Sequence, residues 1–386
     1  MRTVSFQAKA DNLDQSLTAL NGNSPDLAIV FGSRDLLENT GNLKSLYAAM
    51  PTANLVGCST SGEIYDDRTA ENTLTVMAMQ FDATPTKVTT AAISSESDGS
   101  KMAGQSIGEA LQSTDLNSIM VLSPGLNVNG SALVAGIRDV CGEKTTVFGG
   151  LAGDGTDFQK TVTVLNDQSF EDQVVAIGFY GSKLLVGTGS RGGWQGFGPI
   201  RRVTKADANV LYELDDKPAL ELYKQYLGDR ADDLPASGLL YPFAILSEDQ
   251  GETGLIRTIL DVSEADGSLT LAGDLPAGSM VRLMHADNDA LVDGAEAAAN
   301  DANQHGADAN GAAICVSCVG RRIVMGNEVD DEVESVRDIL GGQIPIIGYY
   351  SYGEICPFQE SGFSELHNQT MTVTVLREDA GASTAA

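Results

Sequence analysis

The chain has 386 residues, of which 53 are acidic and 24 basic, giving a formal charge of −29; 42% are apolar and 20% charged. That length points to two domains or one duplicated α/β unit. The charge excludes a protein that binds by neutralising nucleic-acid phosphates, or one drawn by polybasic clusters to an anionic membrane. Met1–Leu20 has no apolar signal core, and no stretch reaches the roughly 18–20 apolar residues of a membrane helix. Five cysteines, an odd number in a long chain, argue against a secreted disulfide framework. A cytoplasmic protein with reduced thiols is expected.

In chain order, Leu27–Phe31, Leu36–Met50 and Asn54–Gly57 read as strand, helix and strand, the pattern of a β-α-β unit. The pattern returns at Ile119–Ser123, Ser131–Val140 and Thr146–Gly149, and again at Ala313–Ser317, Asp331–Leu340 and Ile344–Gly348. Each unit is followed by an apolar strand, Leu74–Met79, Val174–Phe179 or Met371–Leu376, whose alternation suits a half-buried or edge position. Between the second and third units, Asp207–Leu227 reads as a helix. Ile256–Val262 and Leu269–Leu271 read as strands about an Asp266-Gly267 turn. The glycine-dense run Ser190–Pro199 marks a boundary, and the small polar tail Glu378–Ala386 is expected to fray.

The repeat is also visible in letters. Leu55-Val-Gly-Cys-Ser-Thr-Ser-Gly-Glu-Ile64 is echoed by Ile346-Ile-Gly-Tyr-Tyr-Ser-Tyr-Gly-Glu-Ile355, and more loosely by Phe148-Gly-Gly-Leu-Ala-Gly-Asp154. The fold class expected is α/β: two modules of mixed β-sheet flanked by helices, residues 1–195 and 196–386, with an internal β-α-β repeat ending in Gly-Glu loops.

These residues carry a resemblance. Gly57–Glu63 with Phe81-Asp82 resembles the amino-terminal FIST module. Lys217–Tyr223, Arg257-Thr258, Asp266-Gly267, Cys318–Arg321, Gly348–Glu354 and Asn368–Met371 resemble the carboxy-terminal one. The resemblance implies a sensory protein that binds a small ligand, with amino acids proposed, and signals to a partner such as a histidine kinase. It also implies, for some members, haem-based nitric oxide sensing.

Candidate ligand-binding residues follow from position and chemistry. Glycines after a strand admit a ligand close to the backbone, and sites in open α/β sheets lie beyond the strands' carboxyl ends. Cys58, Ser59, Glu63, Tyr350, Tyr352 and Glu354 occupy those loops. Glu63 and Glu354 are placed to meet an ammonium, or else to cap backbone N–H groups. Arg257, alone in an apolar strand, suits a carboxylate. Cys58 admits a thiol hydrolase, but none of the three histidines sits in a partner motif, so a non-enzymatic protein is the preferred reading. In Cys315-Val-Ser-Cys318 the strand's alternation turns the two thiols to opposite faces. For haem b, the candidate cofactor, His367 and then His285 are the candidate iron ligands.

Overall fold

Each β-α-β unit closes in the same way. The first runs from β1 (Arg2–Ala8) through the short α1 (Leu13–Ser16) to β2 (Leu27–Gly32), α2 (Arg34–Glu38), α3 (Thr40–Ala49) and β3 (Asn54–Ser59). A hairpin, β4 (Glu63–Tyr65) and β5 (Arg68–Ala70), then precedes the return strand β6 (Leu74–Gln80). The second comprises β7 (Thr86–Ala92), α4 (Gly99–Leu111), β8 (Leu116–Ser123), α5 (Gly130–Cys141) and β9 (Thr146–Leu151), then the hairpin β10 (Thr163–Leu165) and β11 (Gln168–Phe170), and β12 (Gln173–Tyr180). The third opens with β13 (Leu184–Arg191), and an insertion follows: β14 (Gln195–Asp207), β15 (Val210–Leu214), β16 (Lys217–Pro218), α6 (Ala219–Leu227), β17 (Phe243–Leu246), β18 (Glu252–Arg257), β19 (Ile259–Ser263), β20 (Ser268–Leu271) and β21 (Met280–His285). The third unit resumes with α7 (Asn288–Ala302), β22 (Gly311–Cys318), α8 (Val319–Met325), α9 (Val329–Leu340) and β23 (Ile346–Ser351). Its hairpin is β24 (Gly353–Pro357) and β25 (Ser364–His367), and its return strand β26 (Met371–Glu378). The computed structural model describes residues 1–247, 252–306, 310–358 and 362–379, so nearly all of the tail lies outside the described residues.

Each unit builds a four-stranded mixed sheet, and each sheet is completed by another unit's hairpin. The orders are β1-β6-β2-β3-β10-β11, β7-β12-β8-β9-β24-β25 and β13-β26-β22-β23-β4-β5. The exchange closes a ring: the first unit's hairpin joins the third sheet, the second's joins the first, and the third's joins the second. Three backbone bonds repeat this ring at the strand ends, from Ser61 N–H to the Tyr350 carbonyl, Gly153 N–H to Ser59, and Tyr352 N–H to Leu151, at 2.8, 2.9 and 3.4 Å. Gly57, Gly149 and Gly348 take one equivalent place each. A Cβ there would lie 2.0, 2.0 and 2.1 Å from a carbonyl oxygen of the neighbouring parallel strand, so no larger residue fits.

Burial explains the strand patterns. Met77 and Met79 of β6 point into a central core shared by all three units, with Phe31, Cys58, Phe148 and Tyr349. Leu74, Val76 and Ala78 of the same strand point outward to α3. The return strands are therefore interior and buried on both faces, not the half-buried or edge strands expected, because helices cover the side that periodicity left open. Two further expectations change. Only Ala219–Leu227 of Asp207–Leu227 is helical; Val210–Leu214 pairs with β14 and β20 between left-handed turns at Ala208 and Asp215-Asp216. The strand expected over Ile256–Val262 is divided at Thr258 between β18 and β19. The boundary expected at 195/196 falls at the start of β14, where the chain enters the insertion.

Candidate functional site

The two Gly-Glu loops build one structure twice. Glu63 accepts hydrogen bonds from the Thr60 hydroxyl and from both the N–H and hydroxyl of Thr73. Glu354 accepts from the Ser351 hydroxyl and from both groups of Thr370. Each carboxylate thereby fastens the start of the exchanged hairpin to the residue ahead of the return strand. Register places Glu63 opposite Tyr349 and Glu354 opposite Gly150; in the middle unit Thr163 stands opposite Cys58, and its hydroxyl donates to the Gln173 carbonyl. Burial raises both carboxyl groups against these bonds, Glu354 to about 8.

Other candidates are likewise engaged. Ser59 accepts from Val162 N–H at 3.0 Å. Tyr350 donates at 2.7 Å to Glu332, which also receives Ser317 and the Nε and Nη2 groups of Arg321, all buried. Neither Arg321 nor Glu332 was singled out in the sequence as a pair, since the Glu332 side of α9 reads as an ordinary polar face. Cys58 is enclosed in the central core, where burial pushes its thiol far up. Arg257 donates to the carbonyls of Asp274 and Ile256, and burial lowers it to about 10.

The two histidines lie in different places. The Cys356 carbonyl can only accept, so His367 Nε2 carries the proton and donates to it at 2.9 Å; Nδ1 then accepts from the Ser190 hydroxyl at 3.1 Å. Burial lowers His367 to about 4. With both nitrogens bonded and a cavity of only about 290 Å³ beside it, His367 does not fit an axial iron ligand. His285 ends β21 in the open and stacks edge-on against Phe197 at 5.5 Å. It borders a groove of about 550 Å³ with Tyr241, Ile323, Val324 and Arg230. Among the described residues no cluster of His, Cys, Asp and Glu is arranged to hold a metal ion.

Depressions also lie at the carboxyl ends of the parallel strands, and two of them bear on the candidates. One is a cleft of about 300 Å³ by the first unit, whose walls include Arg34, Glu63, Glu71, Asp154 and Arg322. The other is a cavity of about 290 Å³ beyond β8, β9 and β22, roofed by the insertion, with walls from Leu126, Leu151, Phe158, Leu239, Val319 and Tyr352. Of the candidates named from the sequence, only Tyr352 lines it. The Tyr352 ring stacks on Phe158 at 4.5 Å and 14°, and its hydroxyl donates to Asp154 of the cleft. Asp154 in turn accepts N–H bonds from Phe158, Gln159 and Lys160. Phe158 belongs to no motif, and Thr258 stands in the Arg257-Thr258 motif but was not named there as a site residue. The signal that could have led to Phe158 was the looser middle repeat, Phe148–Asp154, where a longer loop replaces the Gly-Glu step. Cys318 lines the cavity while Cys315 packs in the outer core, as alternation required.

Comparison with known proteins gives two family matches, the FIST N domain over residues 26–217 and the FIST C domain over 219–357. The chain is 24% identical over 382 residues to uncharacterized protein Rv0628c of Mycobacterium tuberculosis, covering 96% of each. It is 23% identical over 400 residues to uncharacterized protein Mb0898c of Mycobacterium bovis, covering 97% of this chain and 96% of that one. Among solved structures it aligns with cyanuric acid hydrolase from A. caulinodans at TM-score 0.36 and 10% identity, over 98% and 99% of the two chains. With both modules matched in order across most of its length, the chain belongs to the FIST family.

Proposed function

We propose that this chain is a non-enzymatic sensor whose ligand occupies the cavity beneath the insertion. FIST domains are generally sensory, ligand-binding signalling domains. The observation that carries the site is its composite wall: Leu126 and Phe158 come from the second unit, Val319 and Tyr352 from the third, and Leu239 and Thr258 from the insertion. An occupant touches all three at once and so favours one disposition of the insertion over others, which is what a signalling partner such as a histidine kinase would read. The enclosed Cys58 thiol, raised by burial and with no histidine bonded to it among the described residues, supports the non-enzymatic reading over a thiol hydrolase. Hydrogen exchange with and without ligands found by a thermal-shift screen tests this. Protection should rise together in 125–129, 158, 258–260 and 318–319. Protection confined to any other part of the chain would refute it.

Haem-based nitric oxide sensing is a second reading, and the groove at His285 favours it over His367. No described residue is bonded to either nitrogen of His285, its neighbours Phe197, Tyr241 and Ile323 are apolar or aromatic, and Arg230 is at hand for a propionate. Iron held there would supply the open coordination position for nitric oxide. The protein is to be titrated with haemin: His285→Ala should abolish a Soret shift that His367→Ala leaves in place. Retention in His285→Ala would remove this reading.

A further inference from the structure

From the cavity wall we infer the chemical class of the ligand: a compact, uncharged molecule with an aromatic or otherwise flat apolar face and one hydrogen-bonding group. The inference rests on the cavity being the sensory site and goes on to name what it accepts. Among the described residues, not one of the side chains lining the cavity is Asp, Glu, Lys, Arg or His, in a chain where 20% of residues are charged. A carboxylate, an ammonium or a zwitterion would lose its water there and meet no charged side chain in the lining. The adjacent cleft, across the Tyr352–Asp154 contact, shows the opposite choice, with two arginines and several carboxylates in its walls.

Three features specify the neutral ligand further. The parallel Phe158–Tyr352 pair presents a flat aromatic surface. Leu126, Leu151, Leu239 and Val319 supply an apolar enclosure. Thr258 is 3% exposed and its hydroxyl has no hydrogen-bond partner among the described residues. It stands where β18 gives way to β19, the break that the sequence pattern did not show. A buried hydroxyl left unmade is costly unless something meets it, and a ligand acceptor or donor is what the cavity can admit. Asn129 and Asn209 are each already anchored through the amide nitrogen, to Asp274 and to the Leu271 carbonyl, whereas the Thr258 hydroxyl has no bond among the described residues and is the polar group with most to gain from a ligand.

The test uses the full chain and matched pairs of probes followed by calorimetry. Indole should bind at least tenfold more tightly than tryptophan, and benzamide at least tenfold more tightly than benzoate. Thr258→Val should weaken phenol several-fold and leave toluene unchanged. Leu126→Trp should fill the cavity and abolish both; Leu260→Trp, at a residue 44% exposed on the rim, does the same without touching the interior if the first variant fails to fold. Charged probes that bind as tightly as their neutral partners, and are lost in Leu126→Trp or Leu260→Trp, would overturn the ligand class while leaving the cavity as the sensory site. Neutral probes that bind equally well to the filled variants would overturn the class assignment, since it is read from this wall. If no probe of either kind binds and a ligand from the wider screen protects other residues, the cavity reading fails and this inference with it.

Discussion

The first and third units carry the same Gly-Glu clasp in different surroundings. In the first, Glu63 borders an open, charged cleft. In the third, Glu354 is wholly enclosed, and the position that Ser59 takes in the first unit is held by Tyr350, locked to a buried Glu332–Arg321 pair. The middle unit has no glutamate at the equivalent place, and its loop instead supplies Phe158 to the cavity. A repeated sequence motif therefore marks a repeated structural fastening, while the departures from the motif mark where the three units differ in their surroundings.

The largest expected effect separates the third unit from the first. Glu332→Ala leaves Arg321 buried without its countercharge and Tyr350 and Ser317 without their acceptor, and should cost on the order of 3–5 kcal/mol in denaturant unfolding. Ser59→Ala, at the place of Tyr350, removes one neutral bond to Val162 N–H and should cost about 1 kcal/mol. Equal losses would mean that the two units are held alike. Next in size, Glu354→Ala strands the buried Thr370 N–H and should cost about 2–3 kcal/mol. Glu63→Ala should cost less, because Glu63 itself lines the cleft and water can enter the space its carboxyl group leaves. The reverse order would show that the cleft is closed in solution.

How much of this was legible in the sequence follows from what each feature depends on. The three β-α-β units and the equivalence of the Gly-Glu loops were readable, because strand and helix periods are local and Gly57 and Gly348 answer the same steric demand. The hairpin exchange was not, since pairing Tyr65 with Ile347 joins distant segments and alternation names no partner. The insertion's β15 was missed because Val210–Leu214 has the composition of either element, and its sheet partners decided the outcome. Of the site, Tyr352 was legible from its loop. Leu126 and Leu239 were not, being ordinary residue types brought together only by the fold, and Thr258 lay in the Arg257-Thr258 motif where Arg257 alone was read as a site residue. Glu63 and Glu354 were found for their position; of the threonine partners that make them fastenings, Thr370 lies in the Asn368–Met371 motif and Thr73 in none, and nothing local tied either to its glutamate.

The smallest effect at any one pH is expected from Glu354→Gln, and its dependence on pH is the sharper test of the comparison. A glutamine can keep the cradle: its carbonyl takes the two Thr370 donors and its amide faces the Ser351 hydroxyl, which can accept. At pH 5, where the folded-state carboxyl is protonated, the change should be within about 1 kcal/mol. Glu354 titrates near 8 in the fold against 4.5 unfolded, so its contribution is fully present below 4.5 and is lost as pH rises through 8. His367 runs the other way: about 4 in the fold against 6.5 unfolded, its contribution is full above 6.5 and lost as pH falls toward 4. The two oppose each other between 4.5 and 6.5, and Glu354 alone of the pair remains from 6.5 to 8. Glutamine does not titrate, so the variant should gain on the wild type steadily across 4.5 to 8 and hold level above that. Glu63→Gln should move in the same direction, since burial raises that carboxyl also, and less far, since the cleft admits water. Urea midpoints of both variants and the wild type at pH 5, 6.5 and 8 give the measurement. A difference between Glu354→Gln and wild type that stays flat across this window would mean that Glu354 ionises as a solvated carboxylate does, and the contrast between the two clasps would fall.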